Sequence, residues 1–408
     1  MPWSDITPMS QRLEFVRLIQ QRRQPIGAIC LAFGISEKTG YKWLARVAAE
    51  GPAGLADRSH APRTPAHQLP ASVVTAILAA RRAHPTWGPR KLRRFLQDQR
   101  PALPWPAAST IGALLHRRGL VRPHRRPGGG PARWTPLDAR LTSAAAPNDV
   151  WTIDFKGEFR LGSGAYCYPL TVMDLHSRYL LGCTGLASTA TATARVVFTR
   201  LFQAYGLPRV LRSDNGVPFA SPLALGRLSA LAVWWIRLGL RPERITPGAP
   251  QENGAHERMH KTLKAETTRP PALTFTQQQR RFTQFTHEYN TLRPHERLAL
   301  DTPGTHYTPS PVRFPRRLPT PDYAACCDVR RVSAVGMIKW RGTALFLTTS
   351  LAGEDVSLEE TADATWRISF GALVLGTYDL TCQHFTPGVY WPASDSPDPR
   401  ATSPIIPV

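Results

Sequence analysis

Three acidic residues stand in short, unusual contexts. Asp154 closes Trp151-Thr152-Ile153-Asp154, Asp214 lies in Arg212-Ser213-Asp214-Asn215-Gly216, and Glu257 follows Pro250-Gln251-Glu252-Asn253-Gly254-Ala255-His256. Carboxylates are hard oxygen donors, and Mg2+ needs only a few of them beside its waters and a substrate phosphate. Two such ions about 4 Å apart activate a nucleophile and stabilise the leaving oxyanion of an in-line displacement at phosphorus. Three carboxylates so far apart in the chain can serve one site only if a fold gathers them. A lone Asp on a strand is more often a turn or surface residue. Asp174 and Asp149 are of that ordinary kind, since neither stands in a motif matching the other three.

The stretch 150–155 reads as a strand carrying Asp154, and 168–174 and 179–185 as two more. A helix over 191–205, a short buried strand over 209–213 and a helix over 222–238 containing Trp234 and Trp235 follow. Asp214 thus falls just beyond a strand, in a glycine turn. A loop over 246–254 leads into a helix over 256–267 whose first turn holds Glu257, and a helix near 275–292 closes the region. Meandering strands followed by alternating helix and strand predict an α/β core with a mixed sheet. At about 100° per residue, Glu257, Lys261 and Lys264 share one stripe of their helix, with Met259 and Leu263 opposite. A carboxylate followed by two cations suits DNA lying along the helix past the metals. Asn253, in the loop before that helix, is a candidate DNA contact. His256 reads as a local polar residue rather than a metal ligand, and Cys167 and Cys183 as buried hydrophobes.

The 408 residues suffice for two to four domains, and their formal net charge of +22 points to a polyanionic partner, nucleic acid first. The charge is uneven: residues 1–147 hold 23 Lys and Arg against 7 Asp and Glu, whereas 148–408 hold 28 against 22. The N-terminal part is therefore the expected docking end. Helices over 11–23, 26–33 and from the Ser36 cap to 47, with a break at Gly34, form a helix-turn-helix pattern in domain 1–60. Ile35, Tyr41 and Leu44 are expected to dock its last helix, leaving Glu37, Lys38, Lys42 and Arg46 exposed; Lys38, Lys42 and Arg46 are the candidate DNA contacts. After a Gly/Pro/Arg linker over 51–65, helices over 71–83, 88–99 and 106–118 suggest a second helix-turn-helix, plain or winged, in domain 66–122. Residues 123–147 read as a basic linker able to lie along a phosphate backbone. The core domain spans 148–310. Short alternating stretches from 325 to 385 suggest a small all-β barrel, and the Pro/Ser-rich 386–408 a disordered tail.

Six scattered cysteines without a C-x-x-C pair argue against a zinc knuckle or a disulfide framework and fit a reducing cytoplasm. Without an N-terminal apolar segment or an 18-residue uncharged apolar run, neither secretion nor membrane spanning is expected.

The motifs W-x-x-D, S-D-N-G and P-x-x-P-Q-x-N-G-x-x-E-R, with Tyr289-Asn290-Thr291-Leu292-Arg293-Pro294-His295 downstream, resemble the integrase core shared by bacterial insertion-sequence transposases and retroviral integrases. The resemblance covers about 148–305. It implies an RNase H-like fold and cleavage and strand transfer of double-stranded DNA, at element ends and target. It also implies Asp154, Asp214 and Glu257 as ligands of two Mg2+ (or Mn2+) ions, and a homo-multimer assembled on the ends. Such a protein would be cytoplasmic and nucleoid-associated. One feature departs from the pattern: 42 residues separate Asp214 from Glu257, more than is usual, and 37 separate it from Glu252. Spacing favours Glu252; motif register favours Glu257, which opens the helix. Two other readings compete. A catalytically inactive transposase-derived DNA-binding regulator is disfavoured because all three acidic positions and both helix lysines are present. An RNase H-type nuclease would not need two upstream DNA-binding domains.

Overall fold

The structure, a computed structural model, describes residues 7–58, 69–121, 141–222, 224–246 and 249–392. The chain divides into two compact units, Met1–Ala71 and Ser72–Val408. The second helical domain, described over 69–121, shows three helices and no strand, so no wing is seen among those residues; most of the basic linker and the end of the tail lie outside the described residues.

The first unit holds α1 (Pro8–Gln20), α2 (Ile26–Ala32) and α3 (Glu37–Glu50). Ser36 caps α3 by accepting from the Thr39 amide at 3.3 Å, and Gly34 takes the left-handed φ of +64° that ends α2. Phe15, Val16, Ile29, Cys30, Trp43 and Leu55 form its core. Tyr41, expected to dock α3, is exposed, because the buried stripe runs through Gly40, Trp43, Leu44 and Val47 at helical spacing and Tyr41 falls beside it. A Cβ on Gly40 would stand 2.7 Å from Cys30 Sγ, so glycine is what lets α2 and α3 approach.

The second unit begins with α4 (Ala71–Ala83), α5 (Pro89–Gln99) and α6 (Ala108–Arg117), packed through Ile77, Leu92, Leu96, Ile111 and Leu115. This group rests on the α/β core. Arg94 pairs with Asp301 at 3.1 Å, Thr86 bonds Glu266, and the Arg293 guanidinium lies 5.9 Å from the Trp87 ring centre. Lys91 on α5 is pushed down to about 8 by burial and, next, by Arg293.

The core contains β1 (Val150–Phe155), β2 (Phe159–Arg160), β3 (Tyr166–Asp174), β4 (Leu180–Leu186), α7 (Thr191–Tyr205), β5 (Val210–Ser213), α8 (Ala230–Arg237), β6 (Arg241–Arg244), α9 (Gly254–Thr267) and α10 (Phe275–Thr291). β3 pairs antiparallel with β1, β2 and β4, while β5 runs parallel to β1 and to β6, so the sheet is mixed. Trp151, Ile153, Phe198, Phe202, Trp234 and Trp235 fill the α7/α8 side. Met173, Leu180, Met259, Leu263, Phe282 and Tyr289 fill the α9/α10 side. The helix expected over 222–238 is only Ala230–Arg237. Ser229 caps it, accepting from Ala232 N at 3.1 Å, and the positive φ of Gly226 and Arg227 forbids a longer one.

The C-terminal region is all-β: β7 (Asp328–Arg331), β8 (Met337–Trp340), β9 (Thr343–Phe346), β10 (Asp355–Ala362), β11 (Thr365–Phe370), β12 (Leu373–Asp379) and β13 (His384–Tyr390). The expected barrel is not closed. Five strands run β13-β12-β11-β10-β7, and β8 and β9 pair only with each other. Closure would need the β7 and β13 edges to be joined, and no described strand joins them. β13 also occupies the start of the expected disordered tail. Pro387 is tolerated because β13 is an edge strand, and Gly376 sits opposite it. Ile338, Trp340, Trp366 and Ile368 continue the cluster that contains Trp234 and Trp235, so this region shares a core with the α/β domain.

Candidate active site

β1 lies between β3 and β5, and its alternation fixes the site. Trp151 and Ile153 point into the α7/α8 core, so Thr152 and Asp154 point to the face covered by α9. The Asp154 side chain retains 21% exposure. Asp214 immediately follows β5. Its Oδ1 accepts from the Gly216 amide at 3.1 Å, and a Cβ on Gly216 would stand 3.0 Å from Oδ2, so a side chain there would crowd the carboxylate. Asn215 donates to the Ile245 carbonyl at 2.8 Å and pins the loop to the end of β6. Glu257 is exposed in the first turn of α9.

The three carboxylates share one electrostatic neighbourhood. Burial first, then the Asp214 charge, and in smaller measure Glu257, push the Asp154 carboxyl up to about 7 against the opposing pull of Lys156. Glu252 is turned elsewhere, accepting from Thr246 N at 2.7 Å.

Lys261 and Lys264 are exposed on α9, while Met259 and Leu263 are buried on the sheet. Asn253, the candidate DNA contact before α9, is buried. It is 5% exposed at the N-cap of α9, and its Oδ1 has no partner among the described residues. Lys38 and Lys42 are exposed on α3. Arg46 is half-buried, its guanidinium 4.9 Å from the Trp43 ring centre, with Lys42 at 4.6 Å and Arg12 at 4.1 Å. Asp174 ends β3 and holds the turn that follows, fully buried and accepting from Asn148 N, Ser177 N and Ser177 Oγ at 2.6–2.8 Å.

His256 is fully buried on the sheet side of α9. Its Nδ1 lies 2.8 Å from the Thr152 hydroxyl and its Nε2 2.7 Å from that of Thr171. His260, one turn on, was not anticipated. Its Nε2 lies 2.7 Å from the same Thr171 hydroxyl and its Nδ1 3.6 Å from Asp154 Oδ2. Burial holds both imidazoles well below the ordinary histidine range, His256 at about 3 and His260 at about 2. The signal was present as H-x-x-x-H, a spacing that stacks both rings on one helix face.

Residues 144–250 and, separately, 238–303 match the integrase core domain family. Residues 144–303 thus match an integrase core domain throughout. Upstream of the integrase core, 11–63 match a helix-turn-helix domain and 39–115 a homeodomain-like domain. Its curated relatives include the Pol polyprotein of feline endogenous virus ECE1, 29% identical over 133 residues, which are 32% of this chain and 12% of that one. The Gag-Pol polyprotein of baboon endogenous virus (strain M7) is 30% identical over 131 residues, 32% and 7% of the two chains. The chain thus spans about a tenth of the length of these relatives. Among solved structures, the HTLV-2 integrase catalytic core domain in complex with magnesium is 14% identical, with a TM-score of 0.33 over 41% of this chain and all of that one. The simian T-cell lymphotropic virus intasome in complex with PP2A regulatory subunit B56 gamma gives 15% and 0.36, over 73% and 97%.

Proposed function

We propose that the protein is the transposase of a bacterial insertion sequence, which binds its element's ends and cuts and joins DNA there. The observation that supports this reading is that Asp154 on β1, Asp214 just after β5 and Glu257 in the first turn of α9 lie close enough for Asp214, and in smaller measure Glu257, to act on the largely buried Asp154 carboxyl. Carboxylates are the donor set that a hard divalent cation such as Mg2+ or Mn2+ takes. Asp154, Asp214 and Glu257 would hold it, two ions being the usual complement. Bound there, the cations supply charge neutralisation at the scissile phosphate and lower the cost of ionising the attacking water or 3′-hydroxyl.

The chain's own residues do the positioning. Gly216 fixes the Asp214 carboxylate through its amide. Lys261 and Lys264 present exposed charge along α9 beyond Glu257, where a phosphate backbone can track. Lys38 and Lys42 on α3 are the proposed groove-side cations of the first helix-turn-helix. Joining two ends to one target calls for two active sites, and a symmetric homo-multimer on DNA is the simplest arrangement. Among the described residues no helix is long and apolar enough to cross a membrane. We place the protein in the bacterial cytoplasm, on the nucleoid.

The experiment is incubation of the full chain with Mg2+ and labelled duplexes of the inverted repeats flanking its gene. Nicked ends and joined products are expected. Specific binding without either product would support an inactive regulator, and cleavage of RNA–DNA hybrids in preference to the ends would support an RNase H-type nuclease.

A further inference from the structure

The Thr171 hydroxyl is a hub. Its oxygen lies 3.0 Å from the Asp154 backbone carbonyl, 2.7 Å from His256 Nε2 and 2.7 Å from His260 Nε2. A hydroxyl has one proton and two acceptor sites. A carbonyl only accepts, so the proton goes to Asp154 and both imidazoles must donate from Nε2. His256 Nδ1 is then an acceptor, and the Thr152 hydroxyl 2.8 Å away satisfies it by turning its one proton from the Met173 carbonyl, 3.2 Å away. His260 Nδ1 is left bare. The alternative tautomer of His256, donating from Nδ1 to Thr152 and taking the Thr171 proton, changes nothing for His260, which still has to donate from Nε2. Freeing His260 Nε2 would sacrifice the Thr171–Asp154 bond for an Nδ1–H···Oδ2 contact of 3.6 Å, too long for a hydrogen bond.

A bare Nδ1 therefore faces Asp154 Oδ2 at 3.6 Å, with no hydrogen bond between them. Two metal–ligand bonds of about 2.1 Å each can reach across that gap. Ligand atoms of Asp154, His256 and His260 all lie within 4.8 Å of one another, and of the two histidines only His260 has an uncommitted nitrogen. Donation of the opposite ring N–H to a fixed oxygen is how ligating imidazoles are usually held.

We propose that His260, through Nδ1, is a further ligand of the divalent cation held by Asp154, tuning the site toward nitrogen-accepting ions such as Mn2+ over Mg2+. The proposal rests on the reading of Asp154 as a metal-binding carboxylate. Mg2+ is held almost wholly by oxygen, whereas the first-row ions accept nitrogen, Mn2+ least among them and more strongly along the series. The test uses the full chain without a histidine tag. Mn2+ and Mg2+ affinities are measured by calorimetry, and nitrogen coupling to bound Mn2+ by electron spin-echo modulation. The wild type should show the coupling. H260N and H260Q should lose it, with Mn2+ affinity falling at least ~10-fold and Mg2+ affinity far less. Absence of coupling in the wild type, which needs no variant to fold, overturns the proposal, as does coupling that survives in H260N. An equal fall for both ions also overturns it and reduces His260 to a positioning residue. If D154N abolishes binding while H260N leaves both affinities intact, His260 alone is wrong. If D154N still binds as the wild type does, the carboxylate site falls as well.

Discussion

The Thr171 hydroxyl donates to the carbonyl of Asp154, its direct partner in the β1–β3 register. The residue that fixes the backbone of the candidate metal ligand also holds both α9 imidazoles. Thr171→Val keeps the shape and removes the hydroxyl, leaving two buried ring nitrogens unpaired. Each such loss costs about 1–3 kcal/mol. Urea unfolding should show a stability loss of that order for T171V, largely restored in Thr171→Ser.

The metal-free protein should become less stable as pH rises. The Asp154 carboxyl sits at about 7, well above its ordinary value, because of burial, Asp214 and Glu257. A raised carboxyl contributes stability below the ordinary carboxylate range and loses it as pH climbs through about 7. A cation that needs Asp154 ionised reverses this slope. Thermal melts between about pH 5 and 8 should show Tm falling without metal, and the rise produced by Mn2+ growing with pH. A metal-induced rise that is flat across this range would exclude Asp154 as the titrating ligand.

Arg212 and Glu243 form a buried ion pair at 2.7 Å, and Glu243 Oε1 also accepts from the amide and hydroxyl of Thr142. Removing one partner strands the other charge away from water. Glu243→Leu should cost about 3–5 kcal/mol in chemical denaturation, and the double variant Arg212→Met, Glu243→Leu should recover most of it.

Lys38→Ala and Lys42→Ala should weaken DNA binding and each lower the steepness of its salt dependence by about one counterion. Arg46→Ala should also lower thermal stability, because Arg46 stacks on the buried Trp43.

Much of this was legible where pattern and packing agree. The strand 150–155 and the helix 191–205 are bounded as their apolar spacing indicates. β6 escaped notice because Arg241-Pro242-Glu243-Arg244 is polar on its face, its Glu being buried by the Arg212 pair. β13 escaped because Pro387 and Gly388 read as tail. Asn253 reads as a loop residue, yet it sits at the N-cap of α9 and is buried there. His260 was passed over because a histidine's role depends on which partners it meets, here Thr171 from a distant strand. Deleting the β region from 325 would strip Trp340, Trp366 and Ile368 from a cluster shared with α8 and should lower the thermal stability of the integrase core.

The central claim is that Asp154, Asp214 and Glu257 together form the phosphoryl-transfer site. The most direct measurement is end cleavage and strand transfer by Asp154→Asn, Asp214→Asn, Glu257→Gln and the control Glu252→Gln, with end binding assayed in parallel. Each of the first three should abolish both reactions and keep binding within a few-fold of the wild type. Glu252→Gln should stay active, because its amide oxygen can still accept from Thr246 N. An inactive Glu252→Gln beside an active Glu257→Gln would contradict the account.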